Sequence, residues 1–214
     1  MNELDLLRKR HSTRRFTDQD LSTALIKDII RDAQLAPSWE NTQPWKLYLA
    51  TGETTKQIRA RHLATAQSHQ KSWTEIMPPK NWATMPQANM DAWSNDIRGF
   101  LGGQFESEFL DMQGQLFNAP AIIYVTVPKG SSNYSTYDAG AFGYGLLLAA
   151  SAHGLGAIPA YEFIRFPKEV HEAFTIPEDE SLLMGIGIGY PAASKLNEYQ
   201  SKRRPVDEIL QIKD

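Results

Sequence analysis

Residues 9–16 read KRHSTRRF, which gathers Lys9, Arg10, His11, Arg14 and Arg15 around Ser12. Such a set can hold a small dianion, because guanidinium groups present paired N–H donors that match phosphate or carboxylate oxygens. A second basic run, SKRRPVDE (201–208), carries Lys202, Arg203 and Arg204. Two runs at opposite ends of a chain can converge on one phosphate. Each also has a plainer explanation. Cations at the end of a first helix complement its dipole, and a basic tail is ordinarily solvated.

A third stretch, APSWENTQPW (36–45), offers Ser38, Asn41, Thr42 and Gln43 in a turn between two prolines. Amide side chains give donors and acceptors together, as reading the edge of a heterocycle requires. The same composition also suits an ordinary turn. GIGIGY (185–190) invites a dinucleotide-binding reading, but its glycines lie inside a strand pattern and Pro191 follows. No helix opens within it, so a backbone in close contact with a helix is the better account. The five histidines have no metal-ligand spacing and no acidic cluster beside them, so solvated or capping roles are expected. No serine sits in a nucleophile elbow.

Composition narrows the chemistry. With 214 residues, a net charge of −3 and 42% hydrophobic residues, the chain reads as one globular domain, 1–214. The acidic balance argues against nucleic-acid binding, which needs a broad positive surface. The absence of cysteine excludes disulfides, iron–sulfur clusters and thiol nucleophiles. Redox chemistry here needs a bound cofactor. No apolar run has signal-peptide or membrane-span character, so a cytoplasmic location with no membrane partner is expected.

The elements that must position these residues follow from local pattern. Residues 3–10 predict a short helix. Ser22 caps a second, in which Leu25, Ile26, Ile29, Ile30 and Ala33 recur at helical spacing. WKLYLAT (45–51) predicts a strand, 54–67 a polar helix, and AIIYVTV (121–127) a buried strand. Residues 77–104, with Pro78, Pro79, Pro86 and several glycines, show no period and predict an irregular excursion with short helical pieces. Trp73, Trp82 and Trp93 nearby suit a lid or an interface flap. A helix at 137–153 has a face of Ala139, Gly140, Gly143, Gly145, Ala149 and Ala150, able to approach another helix or the sheet closely. Strands near 156–160 and 182–189 flank a helix at 167–174, an α+β or α/β pattern.

In combination, RHSTRRF, APSWENTQPW, AHGLGAIPAYEF with the following FP, and GIGIGYP…N…KRRP resemble the FMN-dependent nitroreductase family, in order and over nearly the whole chain. The C-terminal half is most similar to members acting on nitroaromatics such as nitrobenzoate. The resemblance implies an α+β fold, with a mixed, largely antiparallel sheet flanked by helices, in an intertwined homodimer. It implies that Arg10 and Arg204 hold the FMN phosphate with Lys202 as helper, and that Ser12 and His11 sit at that end of the cofactor. Arg14 corresponds to the cation at the pyrimidine end of the isoalloxazine. Asn41, with Ser38 and Gln43, matches the turn that contacts ring and ribityl chain. Pro159, Ala160 and Tyr161 match the backbone segment near N5.

The implied activity is ping-pong electron transfer from NADH or NADPH, through flavin N5, to nitroaromatics, quinones or similar acceptors. No side chain acts as acid, base or nucleophile, and no metal is needed. The alternatives are a reductive dehalogenase or flavin-fragmenting relative, a flavin-binding or redox-sensing protein without efficient turnover, and a flavin-free phosphate-binding module.

Overall fold

The computed structural model describes residues 3–72, 74–76 and 79–213. Trp73 and Pro78, singled out above, lie outside them. In chain order the elements are α1 (Glu3–Lys9), α2 (Thr23–Ala33), β1 (Lys46–Thr51), α3 (Gly52–Gln67), α4 (Thr84–Leu101) and α5 (Asp111–Gly114). Then come β2 (Ala121–Pro128), α6 (Asn133–Ala152), β3 (Gly156–Ala160), a three-ten turn at Tyr161–Ile164, α7 (Pro167–Phe174), β4 (Glu180–Gly189) and α8 (Lys195–Glu198). None of the described helices is long and apolar enough to cross a membrane.

The four strands form one sheet in the order β1-β2-β4-β3, with every neighbouring pair antiparallel. The fold is therefore α+β, as expected. The parallel component of the expected mixed sheet shrinks to one bridge, between Ser12 and Ala157. β2 shows how sequence sets the layers, because successive side chains of a strand point to opposite faces. Ile122 and Tyr124 face one core with Phe117, Ile158 and Phe163. Ala121, Ile123 and Val125 face the other, built with α2 and α6 through Ile26, Ile29, Phe142 and Leu146. A one-residue slip would exchange the two cores, so both fix the register.

Ser22 caps α2 as predicted, its hydroxyl accepting from the Leu25 amide at 3.2 Å. The small face of α6 meets α2 at Gly145, where a Cβ would stand 3.3 Å from the Ala33 carbonyl oxygen. Gly185 and Gly187 are close-approach positions, but their partner is Phe163 of the three-ten turn, not a helix. Added Cβ atoms would stand 2.3 Å and 2.7 Å from its side chain.

Two expectations are corrected. The 77–104 stretch is not a run of short pieces, for residues Thr84–Leu101 form one helix of 18 residues. Pro86 falls in its first turn, where an amide has no intrahelical acceptor to lose. Its core contact is narrow: Ile97 and Leu101 pack with Phe105, Phe109, Leu196 and Tyr199, too few residues to print a helical period. The second correction is His62, which lies on the buried side of α3 and not in solvent.

Candidate functional site

The site is built where both chain ends meet the β3 side of the sheet. Gly156 makes room for the N-terminal segment, because a Cβ there would stand 2.2 Å from the Thr13 hydroxyl oxygen. The Thr13 amide donates to the Ala157 carbonyl at 3.1 Å. Asn197 then ties the segment to the C-terminal region. Its side-chain oxygen accepts from the amides of Arg14 (2.8 Å) and Arg15 (3.1 Å), and its Nδ2 donates to the Arg15 carbonyl at 2.7 Å. Ser194 caps the short α8 that carries it. Asn197 stands within the quoted motif, yet sequence alone gave it no task.

These contacts shape a polar cleft of about 320 Å³ lined by Arg8, Arg10, His11, Ser12, Arg14, Tyr144, Tyr199, Gln200 and Arg203, among others. No carboxylate lines it, and none among the described residues pairs with Arg8, Arg10, Arg14 or Arg203. Arg10 Nε is buried without a hydrogen-bond partner, and its guanidinium stands 5.9 Å from the Tyr144 ring centre. Arg14 is more deeply placed, donating to the Ser12 carbonyl at 3.3 Å, and burial lowers its pKa. His11 Nδ1 lies 2.8 Å from the Lys9 carbonyl, a contact that needs the proton on that nitrogen. Arg15 is outside this group and reaches Glu108 at 3.4 Å.

Four guanidinium groups without a carboxylate partner line one concave surface, an arrangement able to hold an anion, although Arg203 also donates to Ser201 and to the Lys202 carbonyl. Two of the four, Arg8 and Arg203, were not singled out as ligands from sequence. Lys202 and Arg204, which were, do not line the cleft. Lys202 pairs with Asp96 of α4 at 2.7 Å, and Arg204 donates to Asn89 of α4 at 2.7 Å and contacts Glu208. Lys202 and Arg204 are thus both anchored to α4, whereas Arg203 donates to Ser201 and to the Lys202 carbonyl and borders the cleft as well as the surface beside α4.

The remaining expected residues fall into two groups. Pro159 lines an apolar groove of about 380 Å³ with Gly140, Gly143, Tyr144, Leu147 and Met184. Tyr144 is common to cleft and groove, so the two adjoin. Ala160 and the exposed Tyr161 continue that edge into the three-ten turn. Ser38, Asn41 and Gln43 lie elsewhere, against the first turns of α6. The Trp39 amide donates to Asp138 at 3.0 Å, and Trp39 meets Tyr134 at 4.5 Å between ring centres. The Ser38 hydroxyl accepts from the Gln43 amide at 3.0 Å, and the Gln43 side chain donates to Asn41 Oδ1 at 3.0 Å. Glu40, Asn41 and Gln43 all have positive φ, a strained conformation for non-glycine residues. One chain does not bring this turn into the arginine cleft. No group of acidic, histidine or cysteine side chains among the described residues could hold a metal.

A model of the nitroreductase family matches residues 7–190. The chain is 29% identical to a nitrobenzene nitroreductase of Ectopseudomonas oleovorans, over 92% of this chain and 89% of that one. It is 26% identical to a 4-nitrobenzoate reductase of a Nocardioides species, over 94% and 86%. Among solved structures it resembles the FMN- and NADPH-dependent nitroreductase NfnB of Sphigopyxis sp. strain HMH, with a TM-score of 0.92 at 22% identity and full coverage of both chains. It also resembles the FMN-dependent NfnB of Mycobacterium smegmatis, solved with NADPH, with a TM-score of 0.89 at 20% identity over 99% and 97%.

Proposed function

The chain belongs to the nitroreductase family, and from that premise we propose that it is an FMN-dependent NAD(P)H oxidoreductase reducing nitroaromatics, quinones and similar electron-poor acceptors. The observation that carries the reading is the arginine cleft, cationic and free of carboxylates, with the Arg10 Nε buried and unpartnered. That donor set fits the phosphate of FMN. The apolar groove beyond Tyr144 suits the flat ring that follows.

FMN, when bound, supplies the redox step, taking a hydride from NADH or NADPH and passing two electrons to the acceptor. The chain's own residues bind and orient. Arg8, Arg10 and Arg203 would hold the phosphate, with Ser12 and His11 beside it, and the more buried Arg14 would meet the pyrimidine end of the ring. Tyr144 walls the passage to the groove. The edge of Pro159, Ala160 and Tyr161 would border the ring. No side chain of the site is required as acid, base or nucleophile. Donor and acceptor would occupy the one groove in turn, so ping-pong turnover is expected.

The proposal includes a homodimer. The turn holding Ser38, Asn41 and Gln43 is separated from the cleft within one chain, and the groove beside Gly140 and Gly143 is open. A second copy laid on α6 supplies the turn and covers the groove. Lys202 and Arg204 then act through the tail they anchor.

The deciding experiment is purification after growth with riboflavin, followed by the visible spectrum, identification of the cofactor released by heat, and NAD(P)H consumption with 4-nitrobenzoate. A yellow protein releasing FMN and consuming NAD(P)H supports the reading. A colourless protein, or release of FAD, overturns the phosphate site. FMN without acceptor-dependent consumption leaves a flavin-binding protein that does not turn over.

A further inference from the structure

Helix α4 carries two polar side chains, Asn89 and Asp96, that do not line the arginine cleft. They stand about two helical turns apart and so share one face. Asn89 Oδ1 accepts from Arg204 Nε at 2.7 Å. Asp96 serves two donors: its Oδ1 accepts from Lys202 Nζ at 2.7 Å and its Oδ2 from the Tyr199 hydroxyl at 3.1 Å. Tyr199, Lys202 and Arg204 are thereby fastened to one helix. Between the fastenings lies Arg203, whose guanidinium is bound to its own stretch of chain. Its Nη1 donates to the Ser201 carbonyl at 2.8 Å, the Ser201 hydroxyl at 2.7 Å and the Lys202 carbonyl at 3.1 Å. Wherever that backbone is held, the Arg203 guanidinium is held with it.

The two contacts of Asp96 differ in kind. The Lys202 side chain is 83% exposed, so its ion pair adds little to the stability of the fold and serves to place the tail. Tyr199 is buried with Ile97 and Leu101 of α4, and Asp96 is the acceptor for its hydroxyl. The hydrogen bond from Lys202 holds the Asp96 carboxyl below the usual carboxylate range, so it is ionised at neutral pH. Phe109, in the same apolar cluster, has the Arg14 guanidinium 5.9 Å from its ring centre. The cluster that α4 builds therefore backs the cleft at Arg14, Tyr199 and Arg203, while no residue of α4 lines it.

We propose that Asp96 is a positioning residue for the phosphate site: it fastens residues 199–203 to α4 and so sets Tyr199 and Arg203 in the wall of the cleft. The inference rests on the reading of that cleft as the FMN phosphate site. Its sign is distinctive. A carboxylate near a phosphate repels it, so a residue acting through charge alone would strengthen FMN binding when removed. An anchor weakens binding when removed.

The test compares the full-length wild type with Asp96→Ala and with Asp96→Asn, which keeps the shape and a neutral acceptor. Each is stripped of flavin and titrated with FMN and with riboflavin, which lacks the phosphate. Asp96→Ala is expected to bind FMN about tenfold more weakly, the scale of one charge-assisted contact, and riboflavin as before. Asp96→Asn is expected to fall between it and the wild type. Tryptic cleavage after Lys202 and Arg203, followed by mass on the flavin-free chains, reads the anchor directly. It should be about tenfold faster in Asp96→Ala, because cleavage tracks the population of released tail.

FMN binding that is unchanged or tighter in Asp96→Ala overturns the positioning role, as does an equal loss for both flavins. Unchanged cleavage overturns the anchor. A wild type that holds FMN no better than riboflavin overturns the phosphate reading and with it the positioning role, while the cleavage rate still decides the anchor. If Asp96→Ala does not fold, Asp96→Asn decides by the same sign.

Discussion

Arg203 and Arg204 are neighbours in sequence, but only Arg203 reaches the cleft. Arg203 lines the cleft with Arg10, whereas Arg204 is held on α4 by Asn89 and by Glu208. Replacing Arg203 by Ala should weaken FMN binding by roughly 2–4 kcal/mol, since a charge-assisted contact is lost and phosphate charge is left partly unpaired. Riboflavin, lacking the phosphate, should bind almost as before. Arg204→Ala should cost FMN less than Arg203→Ala. Titration of the apoprotein with both ligands checks this. The reverse order of losses would make Arg204 the direct ligand.

Two glycines of α6 separate assembly from folding. A Cβ at Gly143 meets only Ile186 Cδ1, at 3.9 Å, while at Gly145 it stands 3.3 Å from the Ala33 carbonyl oxygen. Gly143→Leu should leave the chain folded but fill the groove, lowering both dimer and bound flavin. Gly145→Leu should damage the α2–α6 packing itself, at about 1–3 kcal/mol or more. Sedimentation and flavin absorbance on the same samples, beside chemical denaturation, distinguish the two. A monomer of Gly143→Leu that retains stoichiometric FMN would sink the shared-site proposal.

Gly187 lies where an added Cβ would stand 2.7 Å from Phe163 and 3.0 Å from Ala119. Gly187→Ala should destabilise by about 1–3 kcal/mol through overpacking. In the Phe163→Leu background the further cost should be smaller, because the colliding ring is gone. A double-mutant cycle by urea denaturation measures the difference, and strict additivity would show that the two sites do not share the space.

Glu180 accepts from Lys46 at 2.6 Å and from the hydroxyls of Tyr48 and Thr126 at 2.7 Å each. Burial raises its pKa, but these three donors outweigh burial and leave it lowered. Its contribution is therefore complete above the unfolded glutamate value, about 4.3, and is lost as pH falls through the folded value. Lys46 is raised, chiefly by its hydrogen bond to Glu180. Its contribution is present below the unfolded lysine value, about 10.4, and is lost as pH rises through the folded one. Thermal unfolding across pH should show both limbs. Glu180→Gln should flatten the acid limb, and an unchanged limb would assign acid sensitivity elsewhere.

What was legible in the sequence was local. The Ser22 cap and the Ile26–Ile29 spacing need only neighbouring residues to be read, and both are present. The strand glycines of GIGIG signalled a close approach, but the approaching group, Phe163, comes from another element. α4 was unreadable because only Ile97 and Leu101 among its residues are buried. His62 looked solvated because its partners, Glu162 and Glu169, lie far along the chain on other elements. The choice between Arg203 and Arg204 depends on anchors supplied by α4, which no inspection of KRRP reveals.

The bridge between Ser12 and Ala157 reaches beyond ligand binding. β3 is the last strand in the sheet order, so its outward peptide groups form an open edge wherever nothing lies against them. Thr13, donating to the Ala157 carbonyl, covers part of that edge. Natural sheets need such covers because an uncovered strand offers a template for pairing with another molecule. The segment that carries Arg10 and Arg14 thereby also closes part of the sheet's edge. A chain stripped of it should be lost from solution as well as from the pool able to bind a phosphate, so a deletion there reports on solubility before it reports on affinity.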